Sequence, residues 1–487
     1  MGPGKRHRKA SAALAALVLL GSCGGGGSPA PTPTPTPTPP PSAGADFAIT
    51  NVRILDTEGL RTLDAMTVRV KGGTILEVGE TASTASDATV TIDGSGKVVM
   101  PGLIDAHVHV YNDYELPLFP ANGVTTVRNM WGTPGILALR EQVRAGSLLG
   151  PEIVTSGPII DGSPPFWPTS DVATTAQGAR ALVRDHKAAG YDFIKVYFRL
   201  SSPVFDAIAE ESQAQGLRYA GHAPRDKGVE AVYASDIWSV EHLDGYLLAT
   251  LNPASGYDPA NPDIADLFAV LRDIRDGRRP FSDLFLPAER QRLARVSSSA
   301  GTVHVPTMSL WQQRYLTRAE VAAQQARPEL RFIHPAVRTE WADAANALFA
   351  RYTDEEIELL DLQHDEDYRI IMAIAAEGGD IPTGTDARNP YVLFGFSMHE
   401  ELEHYVEAGM SEMEALSWAT WRAASFLGLQ GSIGAIKAGY EADFVLLDAD
   451  PTASIGNTRS IASLFLDGRR YTRAQLDNAL ETVAASF

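Results

Sequence analysis

The chain has 487 residues, 44% apolar and 21% charged, an ordinary globular composition that excludes wholesale disorder and a multi-span membrane protein. Lys and Arg number 41 against 60 Asp and Glu, and the net charge of -19 argues against a partner bound through nucleic-acid phosphates. The single cysteine rules out a disulfide framework and any multi-cysteine zinc or iron–sulfur centre.

Lys5, Arg6, Arg8 and Lys9 precede an apolar run from Ala10 to Leu20, about half of what a bilayer span requires, which is a signal-peptide pattern. The run ends in Leu20-Gly21-Ser22-Cys23, which resembles a bacterial lipobox. That resemblance implies a lipoprotein signal peptide over residues 1–23, with Cys23 lipidated. Residues 24–45, rich in Gly, Pro and Thr, cannot bury a core and read as an extended polyproline-like linker. The expectation is an exported protein held in the cell envelope by a lipid anchor, with Gly24 pointing to the outer membrane.

Strand-like alternation runs through residues 46–100, as in Phe47 to Ile54 and Met66 to Val70, and again from Ala442 to Arg473. The two ends are expected to pair. Between them, from residue 101, short apolar runs alternate with amphipathic helices, the sequence form of consecutive βα units. Strands are predicted near 103–110, 122–128, 152–157, 193–197, 218–223, 238–242, 302–307 and 380–385. Helices are predicted at Thr175 to Ala189, Pro203 to Gln215 and Glu355 to Glu377, and a C-terminal helix over 476–487. Eight such units predict an α/β fold, a closed TIM-like (β/α)8 barrel over residues 101–431. Its surplus lies at Asp244 to Gly301 and Leu310 to Asp380, insertions expected to shape a substrate pocket.

Chemistry in such a barrel sits at the C-terminal strand ends. The first strand carries His107 and His109, whose spacing of two puts both imidazoles on one face. The fourth carries Lys195, a costly ammonium in an apolar strand. The fifth, sixth and eighth end at His222, His242 and Asp386. Imidazole and carboxylate are the ligands expected for zinc and similar divalent metals.

The run Pro101 to His109, then Lys195, His222, His242 and Asp386 in that order, resembles the metal-dependent amidohydrolase superfamily, nearest its imidazolonepropionase-like and prolidase-like branch. Gly123 to Arg128 and the closing Gly431 to Asp448 resemble it too, so the likeness covers about residues 47–470. It implies a small β-sandwich built from residues 46–100 and 432–475. It implies two divalent metal ions, zinc first, with manganese, cobalt or iron accepted by the same ligands. Lys195 would be carbamylated and shared between the metals. His107, His109 and Asp386 would complete one shell, His222 and His242 the other, with a bridging hydroxide as nucleophile. Asp386 would be the catalytic proton shuttle.

The substrate this implies is a small molecule with an amide-type carbon–nitrogen bond, such as a dipeptide or N-acyl amino acid. Alternatives are imidazolone, lactone or deaminase chemistry on the same scaffold, or a surface lipoprotein that only binds metal or ligand. Tyr197, Arg225 and Arg388 follow the metal ligands closely and are candidate substrate contacts, the arginines either holding a carboxylate or bridging loops. His304 is a candidate contact or a structural residue. Trp131, Phe166, Trp167 and Trp311 would line the pocket or pack between loops. His186, His334 and His364 read as solvated helix residues. His399 and His404 are five apart where a shared zincin face requires four, so their helix is expected to be exposed. Ser397 lacks the second glycine of a nucleophile elbow and is assigned no catalysis.

Overall fold

The computed structural model describes residues 44–255 and 264–487. The expected signal peptide over 1–23, the lipidated Cys23 and nearly all of the 24–45 linker lie outside the described residues. No described helix is long and apolar enough to cross a membrane.

The chain opens with β1 (Ala45–Asp56), β2 (Arg61–Lys71) and β3 (Thr74–Glu80), an antiparallel meander. β4 (Ala88–Asp93) and β5 (Val98–Pro101) return parallel to β1. Ile49, Val52, Val68, Val70 and Val99 turn inward and form an apolar core, as the alternation predicts.

β6 (Leu103–Val108), β7 (Val124–Asn129) and β8 (Glu152–Thr155) form a parallel sheet. A second parallel sheet collects β9 (Ile160–Asp161), β10 (Asp171–Val172), β11 (Phe193–Val196), β12 (Arg218–Gly221), β13 (Ser239–Glu241) and β14 (Val303–Val305), in the order β10-β9-β11-β12-β13-β14. A parallel bridge, Ser156 to Phe193, joins the two. β6, β7, β11, β13 and β14 are buried along their whole length, as central strands of parallel sheets are.

The eighth predicted strand, 380–385, is hydrogen-bonded without forming a regular ladder. Asp380 O accepts from His304 N at 3.0 Å, Thr383 O from Ala106 N at 2.9 Å, and Asp386 N donates to His107 O at 2.8 Å. The ladder is interrupted because Trp418 and Ala419 carbonyls take the amides of Thr383 and Ile104. Gly384 makes the approach possible, since a Cβ there would meet His107 N at 2.9 Å and Val305 Cγ1 at 2.6 Å.

The chain then returns to the first sheet through β15 (Phe444–Leu447), β16 (Ile461–Leu466) and β17 (Arg469–Thr472), with β15 antiparallel to β5. Residues 45–101 and 444–472 thus build one eight-stranded mixed sheet. The helix Ala176–Ala189 starts on the Thr175 hydroxyl, as expected. The predicted helix 355–377 is two, Asp354–Asp361 and His364–Ala376, and the C-terminal helix begins earlier, at Arg473–Ala484, on a Thr472/Gln475 capping box.

Four histidine assignments need correction. His186 and His364 are buried, bonded to Asp171 Oδ2 at 2.8 Å and Asp367 Oδ2 at 3.0 Å; among the three expected in solvent, only His334 is exposed. The helix Phe396–Glu407 is not an exposed one either, because it packs on the distant turn Ile455–Arg459, where buried His399 meets Thr458 Oγ1 at 2.8 Å. His404 is partly buried and meets the Tyr368 hydroxyl at 2.9 Å. Ser397, also buried, bonds Glu400 and the Leu393 amide in the first turn of that helix.

Candidate metal centre and substrate cavity

Strand parity brings the expected ligands together. His107 and His109, two apart on β6 and its extension, have ring centroids 5.2 Å apart, and His242 beyond β13 lies 4.7 Å from His107. His222, beyond β12, lies 4.8 Å from His242. Asp386 Oδ1 is 2.9 Å from His109 Nε2 and 3.3 Å from His107 Nε2. His107, His109 and Asp386 can offer one ligand atom each, all within 4.8 Å of one another. Gly221, at φ +143, is needed before His222, because a Cβ would meet Val196 O at 2.1 Å.

Three of the imidazoles have their Nδ1 engaged, which leaves Nε2 as the atom offered to the centre. His107 Nδ1 lies 2.7 Å from Glu241 Oε2, His222 Nδ1 2.7 Å from Asp244 Oδ2, and His242 Nδ1 2.8 Å from Thr307 Oγ1. Such partners fix tautomer and ring orientation in metal sites. His242 and Asp386 hold φ of +60° and +61°, and Thr307 +54°, left-handed conformations that non-glycine residues adopt at a cost.

Burial drives the protonation states. It pushes His107, His222 and His242 well below the usual imidazole range, with Lys195 adding to the effect at His107 and His222. It lowers the Lys195 amine to about 8, against the pull of Glu241 and Asp386. Lys195 is buried and its Nζ has no hydrogen-bond partner, nor do His107 Nε2 and Asp386 Oδ1. Other buried polar atoms of the chain also lack partners, but these three belong to residues that act on one another electrostatically, Lys195 on His107 and Asp386 on Lys195. An amine of lowered pKa, neutral imidazoles and a carboxylate form a donor set that divalent cations take.

Below the histidines lies a buried ion pair. Glu241 burial works to raise its carboxyl, but Arg128 and then Lys195 outweigh this and hold it low. Arg128 Nη2 donates to both Glu241 oxygens at 3.0 and 2.8 Å, and its guanidinium is enclosed by the rings of Phe193, Trp238 and Phe426. Asp105, pushed up to about 7 by burial, accepts from Thr385 N and Oγ1. Sequence reasoning gave Glu241, Arg128 and Asp105 no role, although a charged residue at an inward-facing strand position was a usable signal. Asp244 and Thr307 carried no such signal.

A cavity of about 730 Å³ opens over His222, His242 and Asp386 and is lined by Tyr197, Arg225 and Trp311. The Tyr197 hydroxyl accepts from Trp167 Nε1 at 3.0 Å, and its ring lies 4.2 Å from that of His222. Phe166 joins the lining, whereas Trp131 packs against His109, Tyr111 and Trp167. Two candidates are placed elsewhere. Arg388 stacks on Tyr111 and pairs with Glu115 at 3.7 Å. His304 points away from the cavity, edge-on to Tyr233 and Tyr246, because its neighbours Val303 and Val305 are the inward residues of β14. A second cavity, about 600 Å³, lies at the N-terminal strand ends among Arg144, Asp192 and Trp238, and gathers none of the candidate residues.

Residues 350–471 match the amidohydrolase family. The fold is similar to that of the bottromycin amidohydrolase, with a TM-score of 0.72 and 24% identity over 90% of each chain. It is similar also to a Xaa-Pro dipeptidase crystallised with methionine in its active site, with a TM-score of 0.60 and 19% identity, covering 88% of this chain and 99% of that one. In sequence, 114 residues are 32% identical to a 5-methylthioadenosine/S-adenosylhomocysteine deaminase of Caldanaerobacter subterraneus. That stretch is 20% of this chain and 26% of the deaminase, so the chain spans about a quarter of the curated relative it matches.

Proposed function

We propose that the protein is a metal-dependent hydrolase of an amide-type carbon–nitrogen bond in a small substrate such as a dipeptide or N-acyl amino acid. The reading takes the fold as a closed (β/α)8 barrel, completed by the 380–387 segment, with a β-sandwich from the two ends of the chain. The observation that carries it is Lys195: a buried amine without a partner, among neutral imidazoles and the Asp386 carboxylate. Loss of one proton from the ammonium, addition of carbon dioxide to the free amine and loss of a second proton give a carbamate, so a buried cation becomes an anion.

His107, His109 and Asp386 would hold one divalent cation, His222 and His242 a second, with the Lys195 carbamate shared. Bound there, the cations lower the pKa of a water and polarise the substrate carbonyl. Asp386 takes the proton of the attacking water and delivers it to the leaving nitrogen, base then acid. Glu241, Asp244 and Thr307 keep the Nε2 atoms aimed inward. Arg225 at the cavity wall is suited to hold a substrate carboxylate through two parallel hydrogen bonds.

The deaminase relative favours a second reading, hydrolytic deamination on the same site. The buried Lys195, which acts on both His107 and His222, favours the two-metal reading over it. Export and a lipid anchor at Cys23 belong to the same proposal, supported by the basic start, the apolar run and the lipobox-like tetrapeptide; labelling of cells with a fatty-acid analogue, lost in Cys23→Ala, tests it. The central test is hydrolysis by the metal-loaded protein of a mixed panel of dipeptides, N-acyl amino acids and cyclic amides, read by mass spectrometry. Cleavage confined to carboxylate-bearing linear amides is the expected result. No cleavage in any class, with two metals bound, would overturn the reading.

A further inference from the structure

Three arginines line the candidate cavity, Arg225, Arg314 and Arg351, and none has a carboxylate within ion-pair distance among the described residues. In a chain of net charge -19 that is a local excess of cation. The two carboxylates in the lining face histidines rather than these arginines: Asp244 Oδ2 bonds His222 Nδ1, and Asp386 Oδ1 lies 2.9 Å from His109 Nε2.

Each arginine is held on an aromatic ring instead. Arg225 lies 5.0 Å over Phe198, whose ring is 5.1 Å from His222. Arg314 lies 5.0 Å over Trp311, whose ring is 6.4 Å from His242, and 5.6 Å over Tyr315. Arg351 lies 5.1 Å over Tyr352. Tyr315 and Tyr352 pack on one apolar cluster around Leu271 and Leu359, and Arg314 and Arg351, each next to one of them in sequence, line the same cavity. Both also close helices, Met308–Arg314 and Pro335–Arg351, where the carbonyl ends favour a cation without neutralising it. Stacking occupies the faces of a guanidinium and leaves its in-plane N–H groups free, the geometry that matches a carboxylate. Part of the cavity wall is apolar, formed by Ala344, Ala345 and Leu348.

We propose that Arg314 and Arg351 form a second anion subsite, distinct from Arg225, and that the substrate carries two carboxylates joined by a short apolar segment. The class is an amide of an acidic amino acid: an N-acyl glutamate or aspartate, or a dipeptide with one acidic side chain. As an assignment of substrate it rests on the hydrolase reading above, whereas the subsite itself is open to a test that needs no cleavage.

That test is calorimetric binding of straight-chain dicarboxylates from succinate to suberate to the metal-loaded full chain, against monocarboxylates of equal length. None contains an amide. At the matching length the dicarboxylate binds about tenfold tighter, the worth of one charge-assisted pair. Arg314→Gln and Arg351→Gln each reduce that preference, while Arg338→Gln, an exposed arginine of the same helix outside this cavity, leaves it intact. Equal binding of the two series at every length, or a preference surviving in both cavity variants, would overturn the subsite. Preference without hydrolysis of any amide would sink the hydrolase reading alone, and hydrolysis without preference the subsite alone.

Discussion

Glu241 Oε2 lies 2.7 Å from His107 Nδ1 while the same carboxylate takes two hydrogen bonds from Arg128, so one buried acid both orients a candidate metal ligand and neutralises a buried guanidinium. Ser239 Oγ donates to its other oxygen. The charge of Arg128 is enclosed by three aromatic rings and has no route to water.

Glu241→Gln therefore strips the counter-ion from a buried cation and weakens the orientation of His107. Breaking such a pair costs about 3–5 kcal/mol, and loss of a ligand's outer partner about 10- to 100-fold in metal affinity. Denaturant unfolding and metal titration check the two effects. A loss below about 1 kcal/mol would show that the pair is not a structural dependency.

Lys195→Ala separates the carbamate reading from a merely structural lysine. The wild-type protein, prepared in ¹³C-labelled bicarbonate, is expected to show a carbamate carbon resonance; the variant loses it, holds at most one metal per chain and loses turnover. Two metals and full turnover in the variant would end the assignment.

The frame of this site was legible because strand parity is a local property: His107 and His109 share a face through a spacing of two, and Lys195 declares itself as a charge within Phe193–Val196. His304 shows where parity misleads. The sequence places it at a strand end like the others, but it lies in the middle of Val303–Val305, whose two valines face inward, a choice made by register against neighbours far away in sequence. His399 fails for a related reason, since the turn that buries it is about sixty residues away, and local polarity carries no trace of it. Arg388 has the right distance from Asp386 but is claimed by Glu115 and Tyr111, partners from the first loop of the barrel region.

His304 also sets a pH dependence. Burial lowers its pKa from 6.5 to about 3, and that of His399 likewise to about 3. A depressed folded pKa contributes stability that is fully present above the unfolded value and lost as pH falls towards the folded one. Each imidazole should therefore destabilise the fold between pH 6.5 and 3 by up to about 1.4 kcal/mol per pH unit. Neither His304 ring nitrogen has a partner, and Tyr233 and Tyr246 meet it edge-on, so a phenyl ring can take its place. His304→Phe should match or exceed wild-type stability at pH 7.5 and lose less on acidification to pH 5, by about 2 kcal/mol. Denaturant curves at the two pH values check this; an unchanged acid dependence would show that His304 does not titrate across the transition.

Arg225 and Arg388 can be told apart by kinetics. Arg225 reaches the cavity, where a substrate carboxylate would accept two hydrogen bonds from its guanidinium, whereas Arg388 is engaged at the Glu115 side. An interaction made equally in ground and transition states lowers KM without changing kcat. Arg225→Gln should thus raise KM for carboxylate-bearing substrates by about tenfold or more, with little change in kcat, and leave their amidated analogues unaffected. Arg388→Gln should leave KM alone and cost about 1 kcal/mol or less in stability, since the pair is long and its arginine partly solvated. The KM ratio of acid to amide in the two variants decides the matter: a ratio that moves with Arg388 and not with Arg225 would place the carboxylate at the Tyr111 side of the mouth and require the substrate to enter the opposite way round.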